Sequence, residues 1–463
     1  MEHEKFAEHG HRLIDWITEY MSEGYSGPVL PKTEPGAVMA QLPETPPLEA
    51  EPADAVFADF KNIVLPNVTH WNDPRFFAYF PANHSGPGIL GDLLSSGLGV
   101  NAMSWATSPA ATELEIRMID WLGQMLGLPW RGCIQDTASS ATLCAVLAAR
   151  ERLADINQAG FYTQKPMTAY TSEHAHSVLQ KAVWIAGMGE RFLRLIPADR
   201  HFAMQPEALR EAVARDVAAG FRPAIVMSTV GTTSSTAVDP VAEIATIAGE
   251  YDMWHHVDAA LAGSAAILPE MRWLMDGVPE ADSFCFNPHK WMFTNFDCSA
   301  LFVRQPEALK KALSITPEFL KTAQDSAVEN FRDWGVQLGR RFRALKLWYV
   351  IRCYGVSGLQ AKIREHLRMA TWFADQVERE AGLTLVTRPR LNTVCFMADS
   401  DERSRALMMA VNASGEAYLS HTVLDDRYVV RVAFGQTHST FAHVEKLWQL
   451  LRRLHREMVT PAE

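Results

Sequence analysis

Apolar residues recur at helical spacing over residues 1–24, where Phe6, Leu13, Ile14, Trp16, Ile17 and Tyr20 share one face and Gly24 ends the run. A second helical stretch is predicted at about 53–64. Between them Pro28, Pro31, Pro35, Pro43, Pro46 and Pro47 enforce extended chain. Helices joined in this way have apolar faces with no local cover, so the arm either lies on a second subunit, the reading preferred because most soluble oligomers are symmetric dimers, or wraps its own body. Residues 71–105 break the periodicity. Trp71-Asn-Asp-Pro-Arg-Phe-Phe-Ala-Tyr-Phe-Pro81 and Ala82-Asn-His-Ser-Gly-Pro-Gly88 read as irregular aromatic walls, suited to a flat ligand or to plain loop packing. A helix follows at about 109–126, with Leu114, Met118, Trp121, Leu122 and Met125 on one side.

From about residue 131 strands and helices alternate. The pattern predicts helix 140–154, strand 167–171, helix 175–186, strand 224–230, helix 241–250, strand 253–257 ending at Asp258, and strands 283–286 and 299–303. That alternation defines an α/β fold with a mainly parallel sheet covered on both faces. Residues 316–335 are polar and read as a long functional loop. A long helix starts at Leu338. Helix 359–380, strands near 383–397 and 427–434, and a helix at 440–458 form a small α+β domain.

The chain of 463 residues, 48% hydrophobic and 21% charged, has ample core for several domains. Its net charge of −11, without Lys/Arg runs, argues against nucleic acid or a membrane surface as partner. No basic segment followed by an apolar core opens the sequence, and no apolar run reaches membrane-spanning length, so a cytoplasmic protein is expected. The six cysteines (133, 144, 285, 298, 353 and 395) are scattered without a Cys-x-x-Cys pair and read as free, mostly buried thiols.

Candidate chemistry gathers at strand ends. Lys290 follows the apolar run Phe284-Cys-Phe286, and Pro288 stops the strand there. Ligands of open α/β sheets bind at such ends. A lysine there, flanked by His289, is either a Schiff-base amine or a side chain reaching solvent. Asp258 follows another strand and needs a cation if buried; a protonated pyridine nitrogen would serve. The Thr137-Ala-Ser-Ser140 turn opens a helix, as a phosphate cradle or as an ordinary cap. His176 stacks on a flat ring or simply starts a helix. Amine, acid, anion cradle and aromatic lid are the parts that hold pyridoxal 5′-phosphate. No metal site competes, because the adjacent His255 and His256 point to opposite faces of a strand.

These stretches carry a family resemblance. Asn287-Pro-His-Lys-Trp291, His256-Val-Asp-Ala-Ala260, Ala175-His-Ser177 and Phe77-Ala-Tyr-Phe-Pro81 resemble the group II pyridoxal-phosphate-dependent decarboxylases, closest to the aromatic L-amino-acid decarboxylases. Ser104-Trp-Ala-Thr-Ser-Pro-Ala110, Asn295-Phe-Asp-Cys-Ser-Ala300 and Leu338-Gly-Arg-Arg-Phe-Arg343 extend the match over nearly the whole chain. The resemblance implies a fold-type I homodimer with a seven-stranded, mainly parallel sheet and active sites at the subunit interface. Its domains would be an arm (1–85), a large cofactor domain (86–346) and a small domain (347–463). It assigns Lys290 to the covalent bond with the cofactor, Asp258 to the pyridine nitrogen and His176 to the ring face. Ala138, Ser139, Ser283 and Asn287 would hold the phosphate, with Thr233 and Ala260 also at the cofactor and His289 near cofactor and substrate. Trp71, Tyr79, Phe80 and Pro81 would line an aromatic pocket, entered by Asn101 and Met103 of the other subunit. Asn101 departs from the bulkier apolar residue usual there.

One further departure bears on the product. Counted from the lysine, Phe319 stands where the family's loop tyrosine donates a proton, and the nearest tyrosine after Lys290 is Tyr349. Phenylalanine has no proton to give. The same exchange marks the aromatic aldehyde synthases. Two activities are therefore expected: decarboxylation of an aromatic L-amino acid to an arylalkylamine, or its oxidative decarboxylation and deamination to an arylacetaldehyde, carbon dioxide, ammonia and hydrogen peroxide. A non-catalytic cofactor-binding regulator lacks a recognition helix, and an aminotransferase lacks an identifiable carboxylate-clamping arginine.

Overall fold

A computed structural model describes residues 2–161, 164–315, 317–322, 324–325 and 327–459. By its internal contacts the chain forms two compact units. One comprises Met1–Tyr79, Thr371–Val386 and Val394–Glu463; the other comprises Phe80–Ala370 and Thr387–Thr393.

The larger unit holds a seven-stranded sheet, in keeping with the α/β expectation. Its strands are β1 (Arg131–Gln135), β2 (Met167–Ser172), β3 (Leu193–Ile196), β4 (Arg222–Thr229), β5 (Trp254–Asp258), β6 (Ser283–Phe286) and β7 (Ser299–Val303), in the order β1-β7-β6-β5-β4-β2-β3. β3, β2, β4, β5 and β6 run parallel, and β7 lies antiparallel between β6 and β1. The central strands are buried on both faces, which is why β4 carries the continuous apolar run Ala224–Met227 rather than an alternating pattern. One face of the sheet packs on the Ala138–Ala154 and Val178–Ile185 helices, through Ala141, Cys144, Ala145, Leu179 and Val183.

The smaller unit carries a four-stranded sheet ordered β10-β11-β9-β8, from β8 (Leu383–Thr387), β9 (Thr393–Ala398), β10 (Ser420–Leu424) and β11 (Arg427–Ala433). It also holds the His3–Glu23 helix. The expectation that this helix has no local partner is corrected. Trp16 meets Phe57 and Phe60 edge-on at 6.1 and 5.2 Å, and Arg12 Nη1 donates to Asp54 Oδ1 at 2.6 Å. Phe6 and Leu13 stay exposed.

Other boundaries move for local reasons. Residues 71–105 are not irregular throughout: Gly86–Leu98 is a helix, capped by Ser85 and closed by Gly99 in the left-handed conformation. The helix expected at 140–154 begins at Ala138, and that expected at 175–186 begins at Val178 after the His174–Ser177 turn. Asp258 is the last residue of β5 rather than the first after it. The long helix starts at Arg343 rather than Leu338 and runs to Arg379, broken only at Gly355 (φ 64°). Before it Arg340 is drawn inward, where its guanidinium forks onto Glu115 at 2.6 and 3.1 Å and donates to the Ile134 carbonyl. All six cysteines are free, and five are buried; Cys353 is exposed. Among the described residues no helix is long and apolar enough to cross a membrane.

Candidate active site

The site is built at the ends of β4, β5 and β6. β5 closes on Asp258, only 4% exposed, whose Oδ1 accepts the Ala260 N–H at 3.0 Å. No described cation forms an ion pair with this carboxylate. Beside it, β6 runs into Asn287 and the short Pro288–Trp291 turn that carries Lys290. The Asn287 N–H donates to the Ala260 carbonyl at 3.0 Å, which fixes the two strand ends together. The Lys290 N–H donates to the Asn287 carbonyl at 2.9 Å, and Lys290 Nζ lies 5.1 Å from the centre of the Phe80 ring. The Val230 N–H donates to the Asp258 carbonyl, so the Gly231–Ser235 turn, with exposed Thr233, leaves β4 at the same edge.

The start of the Ala138–Ala154 helix comes to this edge through β7. Gln135, the last residue of β1, pairs with Ser299, and Ser299 Oγ donates to Asn287 Oδ1 at 2.7 Å. One turn into the helix, Thr142 Oγ1 lies 3.3 Å from His256 Nε2, two residues before Asp258. Thr137 does not cap this helix, and its first intrahelical bond is from Ala141 N–H. The N–H groups of Ala138, Ser139 and Ser140 therefore have no intrahelical acceptor, an arrangement suited to an anion.

His176 reaches solvent with part of its surface while its ring is partly desolvated, and its Nδ1 accepts the Val178 N–H at 3.1 Å, which leaves its proton on Nε2. Its pKa lies below the usual imidazole value, first through burial and then through Lys290, against the opposing pull of Asp258. His176, Asp258 and Lys290 thus sense one another across the same space. His289 is buried; its Nδ1 accepts the Cys298 N–H at 2.8 Å, and burial lowers its pKa to about 3.

Not every expected residue joins this group. Ser283 opens β6, roughly 13 Å along the chain from Asn287 at strand spacing. Its hydroxyl is fully buried between Trp254 Nε1 and His256 Nδ1, so the strand's own length removes it from the phosphate end. Asn101 and Met103 are tied to the end of the loop and the segment after it: Asn101 Oδ1 accepts the Arg340 N–H at 3.0 Å, and the Met103 carbonyl accepts the Arg332 N–H at 2.8 Å. Pro81 is buried beside Phe80 in the larger unit. Trp71 and Tyr79 belong to the smaller unit, where their rings stack at 5.6 Å and Tyr79 takes a left-handed φ of 49°. The Phe319 backbone lies in the Glu318–Leu320 turn, and its side chain is outside the described residues.

Two positioning groups escaped the sequence reading. Asn83 donates Nδ2 to the Lys290 carbonyl at 2.7 Å and its N–H to the His289 carbonyl at 2.8 Å. Ser299 holds Asn287. Both act across some 200 or a dozen residues of chain respectively, and only Ser299, a polar residue opening an apolar strand, carries a visible signal.

His255, His256 and His289 are buried, and burial lowers them to about 3, 4 and 3. Unfolded, each takes up a proton near 6.5, so below that pH the unfolded chain binds more protons than the folded one. Stability is full above the unfolded pKa and falls as pH drops toward 4, by roughly 1.4 kcal/mol per pH unit for each histidine. Asp239 opposes them: burial raises it to about 6, so there the folded state gains the proton first. Three groups outweigh one, and the thermal midpoint should fall steeply between pH 7 and pH 5. A flat midpoint over that range would contradict neutral burial of these rings.

A model of the pyridoxal-dependent decarboxylase conserved domain matches residues 35–399. Tryptophan decarboxylase 2 of Oryza sativa subsp. japonica is 43% identical over 472 residues, spanning 98% of this chain and 95% of that protein. Phenylacetaldehyde synthase of Arabidopsis thaliana is 42% identical over 472 residues, spanning 98% and 96%. The crystal structure of Oryza sativa TDC with PLP and tryptamine superposes with a TM-score of 0.97 at 38% identity, covering 99% of each chain. The chain belongs to the pyridoxal-dependent decarboxylase family, and pyridoxal phosphate is its cofactor.

The residues present fit that cofactor. A buried carboxylate without an ion-pair partner is unfavourable by itself and is relieved by a ring N–H⁺. The uncapped helix end offers N–H donors to a phosphate. Among the described residues no cluster of His, Cys, Asp and Glu is arranged to hold a metal.

Proposed function

We propose that this chain removes the carboxylate of an aromatic L-amino acid, giving the arylalkylamine and carbon dioxide. The observation that carries this reading is the convergence of Lys290, Asp258 and His176 beside an open helix end, in a chain whose relatives include a tryptophan decarboxylase. Pyridoxal phosphate supplies an aldehyde that bonds to amines and a protonated ring that draws electrons from the breaking bond. Lys290 anchors the cofactor through Nζ, and Asp258 keeps the proton on the ring nitrogen. Ala138 and Ser139 hold the phosphate with their N–H groups, together with Asn287; Thr233 and Ala260 border the cofactor. His176 covers the ring face, and His289 lies toward the substrate. Within the larger unit, Phe80 and Pro81 border the substrate with their apolar side chains. The enzyme works as a cytoplasmic homodimer in which a second copy contributes its Asn101 and Met103. The exposed Leu90, Leu93, Leu94 and Leu98 of the Gly86–Leu98 helix support the dimer.

Phe319 favours a second reading. Decarboxylation leaves a carbanion that must take a proton at Cα. A phenyl ring gives none. His289 and His176 are neutral at pH 7 and carry their protons on Nε2, where a neutral imidazole is a weak acid. Slow protonation gives dioxygen time to react. Amino acid, dioxygen and water then yield arylacetaldehyde, carbon dioxide, ammonia and hydrogen peroxide. A phenylacetaldehyde synthase stands among the relatives at nearly the same identity as the decarboxylase.

The test supplies L-Phe, L-Tyr, L-Trp and L-dihydroxyphenylalanine and follows products with oxygen uptake. Amine and carbon dioxide in equal amounts without oxygen uptake establish the first reading. Aldehyde, ammonia and peroxide matching the oxygen consumed establish the second. No release of carbon dioxide from any of them removes both. If aldehyde forms, Phe319→Tyr should raise the amine-to-aldehyde ratio roughly a hundredfold, the usual contribution of a placed general acid.

A further inference from the structure

Asp258 ends a chain of buried hydrogen bonds that begins at Trp254. Trp254, His256 and Asp258 alternate along β5 onto one face, and Ser283 and Cys285 occupy the matching positions of β6. An indole N–H only donates. Trp254 Nε1 therefore donates to Ser283 Oγ at 2.8 Å. The serine's one proton is left for His256 Nδ1, also at 2.8 Å. With Nδ1 accepting, the imidazole proton sits on Nε2, which faces Thr142 Oγ1 at 3.3 Å and Cys285 Sγ at 3.6 Å. The thiol keeps its own proton for Asp258 Oδ1, at a sulfur-length 3.9 Å. The indole fixes the first bond, and a Ser283 hydroxyl that keeps its own buried proton satisfied continues the same direction through His256 and Cys285 to the carboxylate.

We propose that Trp254, Ser283, His256 and Cys285 form a directional relay that aims Asp258 at the ring nitrogen of the cofactor, which makes Ser283 and Cys285 positioning residues for that contact. This rests on the role proposed above for Asp258. Oδ1 is engaged by the thiol and by the Ala260 N–H, so Oδ2 is the oxygen left for the ring. Every link is buried, where hydrogen bonds polarise one another and a missing partner is felt along the chain. Burial holds His256 at about 4 and Cys285 well above its ordinary value, so neither link charges near neutral pH. The buried hydroxyl that cannot reach a phosphate thereby acquires a different task.

The experiment titrates cofactor-free enzyme with pyridoxal phosphate and with its deaza analogue, in which carbon replaces the ring nitrogen, and reads binding by absorbance. Ser283→Ala and Cys285→Ala should each weaken pyridoxal phosphate roughly tenfold, as loss of supporting hydrogen bonds does at other sites, and leave the analogue unchanged. Cys285→Ser restores an O–H donor and should bind pyridoxal phosphate like the parent. If Ser283→Ala does not fold, Cys285→Ala decides, since it removes a single sulfur. Equal loss for both ligands, or loss for neither, overturns the relay. Asp258→Asn separates the two ideas. If it retains the parent's preference for pyridoxal phosphate over the analogue, the reading of Asp258 itself falls. If it loses that preference while the Ser283 and Cys285 variants keep theirs, the relay alone falls.

Discussion

Lys290→Ala is expected to lower turnover by roughly three orders of magnitude or more, the scale on which loss of a catalytic nucleophile is felt. The lysine is placed by its backbone as much as by its side chain. Asn83 Nδ2 holds its carbonyl at 2.7 Å, the Asn287 carbonyl accepts its N–H at 2.9 Å, and the Phe80 ring lies under Nζ at 5.1 Å. No neighbouring amine takes over, because the adjacent side chain is the buried imidazole of His289. Lys290→Arg should fail as fully, since a guanidinium keeps its charge and is no nucleophile, although it preserves the local electrostatics. The measurement is carbon dioxide release at saturating cofactor, alongside the visible absorption of protein-bound cofactor and the thermal midpoint. Residual activity within tenfold of the parent in a folded Lys290→Ala protein would remove Lys290 from the chemistry.

Asp258→Asn should lower the rate by roughly two to three and a half orders of magnitude. That follows from the 3–5 kcal/mol lost when one partner of a buried ion pair is removed. Asparagine keeps the shape and the oxygen that accepts the Ala260 N–H, so the backbone at the end of β5 should not move. The same change should raise the thermal midpoint of the cofactor-free protein, because it neutralises a buried carboxylate that has no ion-pair partner there. Opposite signs for activity and for cofactor-free stability are the mark of a group held ready for a ligand. A drop in both would make Asp258 a structural residue.

The sheet, and the residues expected at its strand ends, were legible because charged residues follow short strand patterns. Lys290 after Phe284–Phe286 stands out for that reason, and Asp258 stands out as the acid that closes the strand Trp254-His-His-Val257. β1 was hidden because Arg131, Gly132 and Gln135 leave it no apolar pattern, although four of its five residues are buried. The Gly86–Leu98 helix was hidden by its glycines, which lower helical propensity; it is set by the Ser85 cap and by the left-handed Gly99. Ser283 shows a different limit. It sits four residues from a site residue, and only the extended geometry of β6 shows that those residues separate it from the phosphate end. Asn83 acts on Lys290 across a sequence gap that no local pattern spans. The partners of Asn101 depend on where the chain returns at Arg340, which periodicity does not encode.

The sheet's order also sets a timetable for synthesis. β1 has β7 as its sheet neighbour, and about 160 residues separate Gln135 from Ser299. At ordinary translation rates that interval lasts roughly ten to thirty seconds. During it, the strand leading into the Thr137–Ser140 turn has emerged from the ribosome while its partner has not. Asn287 waits as well, since the hydroxyl that holds it is on β7. Cofactor capture is therefore a late event in the life of each new chain, following the arrival of a single reversed strand.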